Sequence, residues 1–179
     1  MSKASTLANL PDAETLLATL VEAMRPHVGP ATALVGIHTG GAWLAERLHA
    51  ALGLPMPLGS IDISLHRDDY ASKGLHRGAK ASSMPFAVDG ARIILVDDVL
   101  YTGRTIRAAM NELFDYGRPE CIDLAVLVDR GGRELPIGAR YCAYALAEPL
   151  PATQELVLAR GGDQSQSPLS LIVKERRDA

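Results

Sequence analysis

Hydrophobic positions along this chain fall into two kinds of run that alternate. Residues 33–37, 93–96 and 121–128 are near-continuous apolar stretches rich in Val, Ile and Leu, the pattern of strands buried on both faces. Between them, apolar residues recur at helical spacing. Leu16, Leu17, Leu20, Val21 and Met24 form one stripe behind Pro11, and Pro26 and Gly29-Pro30 stop it. Leu44, Leu48 and Leu52 form a second stripe. Ile106, Ala109, Met110 and Leu113 form a third, closed by Gly117-Arg118-Pro119, with Gly117 expected as a left-handed cap. Further strands are predicted over 58–65, where Ile61, Ile63 and Leu65 alternate with polar neighbours, and over 139–145. Residues 155–160 and 169–174 are short apolar runs around a Gly/Ser/Gln turn and read as a hairpin. The order predicts a doubly wound α/β sheet.

Composition narrows the class. The chain has 179 residues, so one domain is expected, and 47% of them are apolar, enough for a core. Its formal net charge of −3 gives no global basic field, so any RNA site has to be a local patch. Cys121 and Cys142 make no disulfide framework and are expected on strands as small apolar residues. No secretory signal or membrane-length apolar run occurs, which makes the expected location cytoplasmic, with no membrane partner. Residues 1–10 read as a loose lead-in.

The densest chemistry is the stretch RIILVDDVLYTGRT, which starts at Arg92 and ends at Thr105. A buried strand runs into two adjacent carboxylates, Asp97 and Asp98, then into a small-residue turn that opens a helix. A helix N-terminus carries unpaired N–H groups and partial positive charge, so a phosphate fits there. Gly103 allows close backbone approach, and the Thr102 and Thr105 hydroxyls add donors. Carboxylates one turn away suit sugar hydroxyls or a hydrated Mg²⁺. A ribose 5-phosphate needs both sets side by side. His38, Asp97 and Asp129 each end a predicted strand, and ligands of doubly wound sheets bind at such ends.

This stretch resembles the 5-phosphoribosyl-1-pyrophosphate (PRPP) motif of type I phosphoribosyltransferases. With LVGIHTGG (34–41), IDISLHRDD (61–69) and LAVLVDRGGRELPI (124–137) in the same order, the chain is similar to the PyrR family, pyrimidine operon attenuation regulators with uracil phosphoribosyltransferase activity. The resemblance covers about residues 10 to 160. It implies a type I phosphoribosyltransferase-like fold: a mostly parallel central sheet with helices on both faces, a flexible flap at about 67–90, and a small hood with a C-terminal hairpin at about 139–176. It also implies pentosyl transfer from PRPP to uracil, giving UMP and pyrophosphate, with Mg²⁺ as cofactor. Asp97 and Asp98 are then catalytic and hold the metal directly or through water. Arg67 is the catalytic cation from the flap, with Lys80 as the other candidate. Thr39, Gly40 and Gly41 hold pyrophosphate. Val99, Leu100, Tyr101, Thr102, Gly103, Arg104, Thr105, Asp129 and Arg130 bind the remaining substrate. Relatives often carry Lys-Thr-Arg-Gly where this chain has His38-Thr39-Gly40-Gly41, so two cationic side chains are absent. By their own composition, residues 67–90 also fit a solvated hairpin with ordinary surface charges.

Base and partner preference rest on departures from pattern. Purine enzymes of this fold usually place an aspartate where this chain has Tyr101, whose phenol is a poor substitute for a carboxylate; that favours uracil, although Tyr101 also fits a simple packing role. RNA-binding relatives tend to read R-E-L-P-I-R-A-D-Y with a later lysine. Here Gly138, Arg140 and Tyr144 break that pattern, leaving Arg133 and Arg140 as the main cations of an RNA-facing surface. RNA is thus a weak expectation. Two alternatives stay open: a nucleotide-sensing RNA-binding attenuator with little enzymatic activity, or a purine phosphoribosyltransferase. Neither G-x-G-x-x-G nor G-x-x-x-x-G-K-[ST] occurs, which disfavours a dinucleotide or kinase-type domain. The family tends to form homodimers or higher homo-oligomers.

Overall fold

The computed structural model describes residues 10–63 and 81–175. Residues 1–9, 64–80 and 176–179 lie outside it, and with them the lead-in, Arg67, Lys80 and most of the expected flap.

Five strands form one parallel sheet in the order β2-β1-β3-β4-β5: β1 is Thr32–Ile37, β2 Gly59–Ile61, β3 Arg92–Leu100, β4 Cys121–Asp129 and β5 Tyr141–Ala145. Every pair in it is parallel, because each connection is a crossover. Helix α1 (Ala13–Met24) begins behind Asp12, whose carboxylate accepts from the Thr15 N–H at 3.0 Å. Helix α2 (Gly40–Leu52) follows β1, and α3 (Arg104–Tyr116) follows β3. All six residues of β1 are buried, as a strand covered on both faces requires.

Alternation along the strands splits the core in two. Leu34, Ile94, Val96, Ala125 and Leu127 face α1 and α2, meeting Leu20, Met24, Leu44 and Leu48. Ala33, Val35, Ile37, Ile93, Leu95 and Val126 face α3, meeting Ile106, Ala109 and Leu113. Helices therefore cover both sides of the sheet. Strands β6 (Gln154–Arg160) and β7 (Leu169–Glu175) form a separate antiparallel hairpin. Its Leu156, Leu158 and Leu169 join the α1/α2 core.

Three details differ from the sequence expectation. The strand expected over 58–65 is short, Gly59–Ile61, since after Ile61 the chain leaves the sheet while Ile63 stays buried; residues 64 and 65 are outside the described part. Residues 81–90, the described end of the expected flap, return along the α3 side: Ser83 bridges Ser60, and Met84, Phe86 and Val88 pack there. Gly117 is not the left-handed cap. Its φ of 156° and ψ of −166° are outside that conformation, and Asp89 sits where a Cβ would project, accepting from the Arg118 N–H at 2.7 Å. Both cysteines are free and on strands, as expected.

The hairpin is tied to the body by Glu14 of α1. Its carboxylate pairs with Arg47 of α2 at 2.6 Å and accepts from the Leu169 N–H at 2.9 Å. The Arg47 hydrogen bond is the main reason its pKa lies below the ordinary 4.5, partly opposed by burial. A depressed carboxylate pKa means stability that is fully present above the unfolded-state value and lost as pH falls through the folded-state value. Glu14→Gln should therefore lower the melting temperature at pH 7 by a few degrees at most, because solvent screens the pair. Thermal melts of both proteins should converge as pH drops below 4.5. A gap that persists at pH 2–3 would contradict the ion-pair origin.

Candidate active site

The carboxyl ends of β1 and β3 lie side by side, and each feeds a helix N-terminus. After β1, the His38–Thr39 peptide is cis, and the His38 N–H donates to the Ile61 carbonyl at 2.8 Å. Thr39 is exposed, and Gly40 and Gly41 begin α2. These two glycines lie against the end of β3. A Cβ on Gly41 would collide with the Val96 carbonyl and stand 2.9 Å from the Asp97 Cα; one on Gly40 would collide with the Asp98 carboxylate.

The acidic pair therefore lines a narrow place. Asp97 is 6% exposed, and its Oδ1 accepts from the Asp98 N–H at 3.0 Å. Asp98 is half-buried, and its Oδ2 accepts from the Leu158 N–H of β6 at 3.2 Å. Asp98 thus stands between the 39–41 loop and the hairpin.

Past the pair, Val99 is half-buried, whereas Leu100 is a core residue, 1% exposed, so its side chain leaves the crevice. At the turn, Gly103 has φ +91° and precedes α3 without supplying a capping side chain. The Thr102 hydroxyl accepts from the Arg104 N–H at 3.2 Å, and Thr105 is half-buried in the first turn. The bare side of Gly103 does not face open space: a Cβ would meet Leu135 and Ile137 at 3.3 Å. Glycine is required by the positive φ and by this packing.

Residues 129–137 grip the turn from behind. Glu134 and Leu135 each donate a backbone N–H to the Thr102 carbonyl at 3.0 Å. Arg133 donates to the Tyr101 carbonyl at 2.6 Å and the Ile137 carbonyl at 2.9 Å, and ion-pairs with Asp129, which also accepts from the Gly131 N–H at 2.9 Å. Arg130 is 3% exposed; it lies 3.9 Å over the Tyr101 ring and donates to the Gln154 carbonyl at 3.0 Å. Arg104 pairs with Glu134 at 2.6 Å on the surface. Asp129 and Arg130 thus shape the wall that holds Tyr101. Arg133, expected as an RNA-facing cation, spends its donors inside this clasp, and Arg140 pairs with Asp123 at 2.8 Å. Sequence reasoning missed Glu134, Leu135, Ile137 and Leu158. Only the position of RELPI after the fourth strand pointed toward the first three.

Among the described residues, no cluster of three or more His, Cys, Asp or Glu could hold a metal by itself. No helix among them is long and apolar enough to cross a membrane.

The central strand of the parallel sheet does not end at Asp97 as expected but carries the acidic pair shortly before its end at Leu100, and a glycine turn then opens a helix. This is the arrangement of a phosphoribosyltransferase domain, and the family model for the phosphoribosyl transferase domain matches residues 5–148. The chain is 52% identical over 156 residues to the Bifunctional protein PyrR of Ralstonia nicotianae, covering 85% of this chain and 88% of that one. It is 50% identical over 133 residues to the Bifunctional protein PyrR of Pseudomonas paraeruginosa, covering 72% and 78%. The chain belongs to the PyrR family. Its fold is shared with a hypoxanthine-guanine phosphoribosyltransferase from Bacillus anthracis, with TM-score 0.62 at 18% identity, covering 80% and 86% of the two chains.

The contact between the two loops is testable. Gly41→Ala forces a methyl group against backbone at Val96 and Asp97, which has no rotamer to yield. Overpacking of this kind costs about 1–3 kcal/mol. Urea denaturation should show that loss; an unchanged midpoint would mean the loops are not in contact.

Proposed function

We propose that this protein is a uracil phosphoribosyltransferase of the PyrR type, converting PRPP and uracil to UMP and pyrophosphate. One observation carries the reading: the 39–41 loop, the Asp97–Asp98 pair and the N-terminus of α3 converge at the ends of two adjacent parallel strands. That arrangement suits a ligand with a phosphate at each end and a sugar between.

The α3 N-terminus and the Thr102 and Thr105 hydroxyls take the 5′-phosphate. Backbone around Thr39, Gly40 and Gly41 takes the pyrophosphate. Asp97 and Asp98 hold the ribose hydroxyls and put negative charge beside the ring. The bond from the anomeric carbon to pyrophosphate breaks early, its electron pair leaving with the pyrophosphate, so positive charge develops on the ribose. The carboxylates stabilise that charge, and uracil N1 then bonds to the anomeric carbon, its proton passing to solvent. Positioning and electrostatics supply the catalysis, without a covalent enzyme intermediate.

Two carboxylates with no third metal-ligating side chain clustered with them among the described residues fit a hydrated Mg²⁺. When bound, that ion neutralises the departing pyrophosphate; Asp97 and Asp98 would hold it directly or through water. Tyr101, fixed under Arg130 and against Gly132, stands where purine enzymes of this fold usually have an aspartate, which supports uracil. Arg67, from the flap, remains the proposed catalytic cation. The reading carries with it a cytoplasmic homodimer or higher homo-oligomer.

Asp97→Asn combined with Asp98→Asn should fold normally by circular dichroism. Its UMP formation from uracil and PRPP with Mg²⁺ should fall by roughly 100–1,000-fold, the usual loss when a preorganised electrostatic contact goes. Wild-type rates in the double variant would remove the pair from the chemistry.

RNA binding is proposed to be secondary, because Arg133 is committed to the clasp and Arg140 to Asp123. Each phosphate contact to single-stranded RNA adds about 0.7 to the log–log salt slope. A gel-shift series against the leader transcript of its own operon, with UMP present, should give weak binding with a slope of about −2 or shallower. Tight, sequence-selective, UMP-dependent binding would make attenuation the main role.

A further inference from the structure

The β6–β7 hairpin is fastened to α2 by side chains that have no part in the chemistry above. On β6, Leu156, Leu158 and Arg160 share one face by the period of two, and the two leucines are 3% and 6% exposed. The Arg160 side chain is 14% exposed; its guanidinium lies 4.8 Å from the Trp43 ring centre and pairs with Glu46 at 3.2 Å. Trp43 and Glu46 are neighbours at i, i+3 on α2, whose first residues are Gly40 and Gly41. Two residues before Arg160, the Leu158 N–H holds Asp98 Oδ2. One short strand thus touches α2 just past the loop proposed for pyrophosphate and, one side chain away, the carboxylate proposed for the ribose.

We infer that Arg160 is a positioning residue for the transfer reaction. By stacking on Trp43 and pairing with Glu46, it fixes β6 along α2 so that the Leu158 N–H holds Asp98 against Gly40. The inference rests on the phosphoribosyl-transfer reading. A carboxylate with one oxygen held by a charge-assisted hydrogen bond presents its other oxygen in one orientation, without reorganisation as the ribose becomes cationic. The backbone N–H of Leu158 cannot be removed by mutating that side chain, so the register of β6 is what matters. Arg160 is a polar anchor of that register, two residues from the Leu158 N–H that holds Asp98. It is also a stacked site, where lysine does not replace arginine.

Arg160→Met is the informative variant. Arg160 Nε is buried without a hydrogen-bond partner, so the change removes an unsatisfied donor while keeping the packed stem, and the protein should fold. Its kcat with uracil and PRPP should fall by up to about 100-fold, the scale of a misplaced catalytic group. Arg160→Lys, which keeps the charge for Glu46 but not the flat stacked face, should be intermediate. Calorimetry of PRPP binding then separates positioning from mere stability. Arg160→Met should weaken PRPP binding when Asp98 is present and add nothing in an Asp98→Asn background, because the effect runs through that carboxylate. Equal losses in both backgrounds, or wild-type kcat in Arg160→Met, overturn the inference. Failure of the wild-type protein to turn over uracil overturns the reading beneath it instead.

Discussion

The crevice exists because backbone at Gly40 and Gly41 lies directly against backbone and side chain at Val96, Asp97 and Asp98. No side chain fits between them. This contact sets the distance between the start of α2 and the acidic pair, and so the space left at the ends of β1 and β3. A parallel sheet brings two strand ends together, but it does not decide how near the following loops come. Here the absence of two Cβ atoms decides it. Burial of Asp97 to 6% exposure and the Leu158 N–H on Asp98 follow from the same closeness, since both carboxylates are hemmed in on several sides.

A second layer keeps the turn after the acidic pair in shape. The segment from Asp129 to Ile137 comes from the neighbouring strand and clasps Tyr101 and Thr102 through their carbonyls. Arg133 and Arg130 are cations by composition, but in the fold they are internal braces, one bonded to carbonyls and Asp129, the other stacked on Tyr101. That use of arginine lowers the positive charge offered to solvent on this side and rigidifies the turn. The hairpin adds a third support through Leu158, Arg160 and Leu169.

Much of this was legible in the sequence. Strands β1, β3 and β4 are buried on both faces, so their apolar runs are unbroken and easy to read. The helices carry clear stripes, and the acidic pair with its glycine turn sits where strand gives way to helix. What could not be read depends on contacts far apart in the chain. Gly103 is opposed by Leu135 and Ile137, more than thirty positions on, and no local period signals that. The charge of Arg133 is visible in the sequence; its partners are not. Gly117 looked like a left-handed cap because glycine at a helix end usually is one, yet packing against Asp89 gives it another conformation. β2 stops at Ile61, and its outer edge meets a returning segment at Ser83, again a distant contact.

The most direct measurement is a crystal structure of the protein with PRPP and Mg²⁺. The 5′-phosphate should lie at the α3 N-terminus beside Thr102 and Thr105, the ribose hydroxyls should meet Asp97 and Asp98, and the pyrophosphate should rest on backbone at Thr39, Gly40 and Gly41. A ligand bound with its phosphates away from both helix N-termini, or with neither carboxylate near the ribose, would contradict the assignment of the crevice.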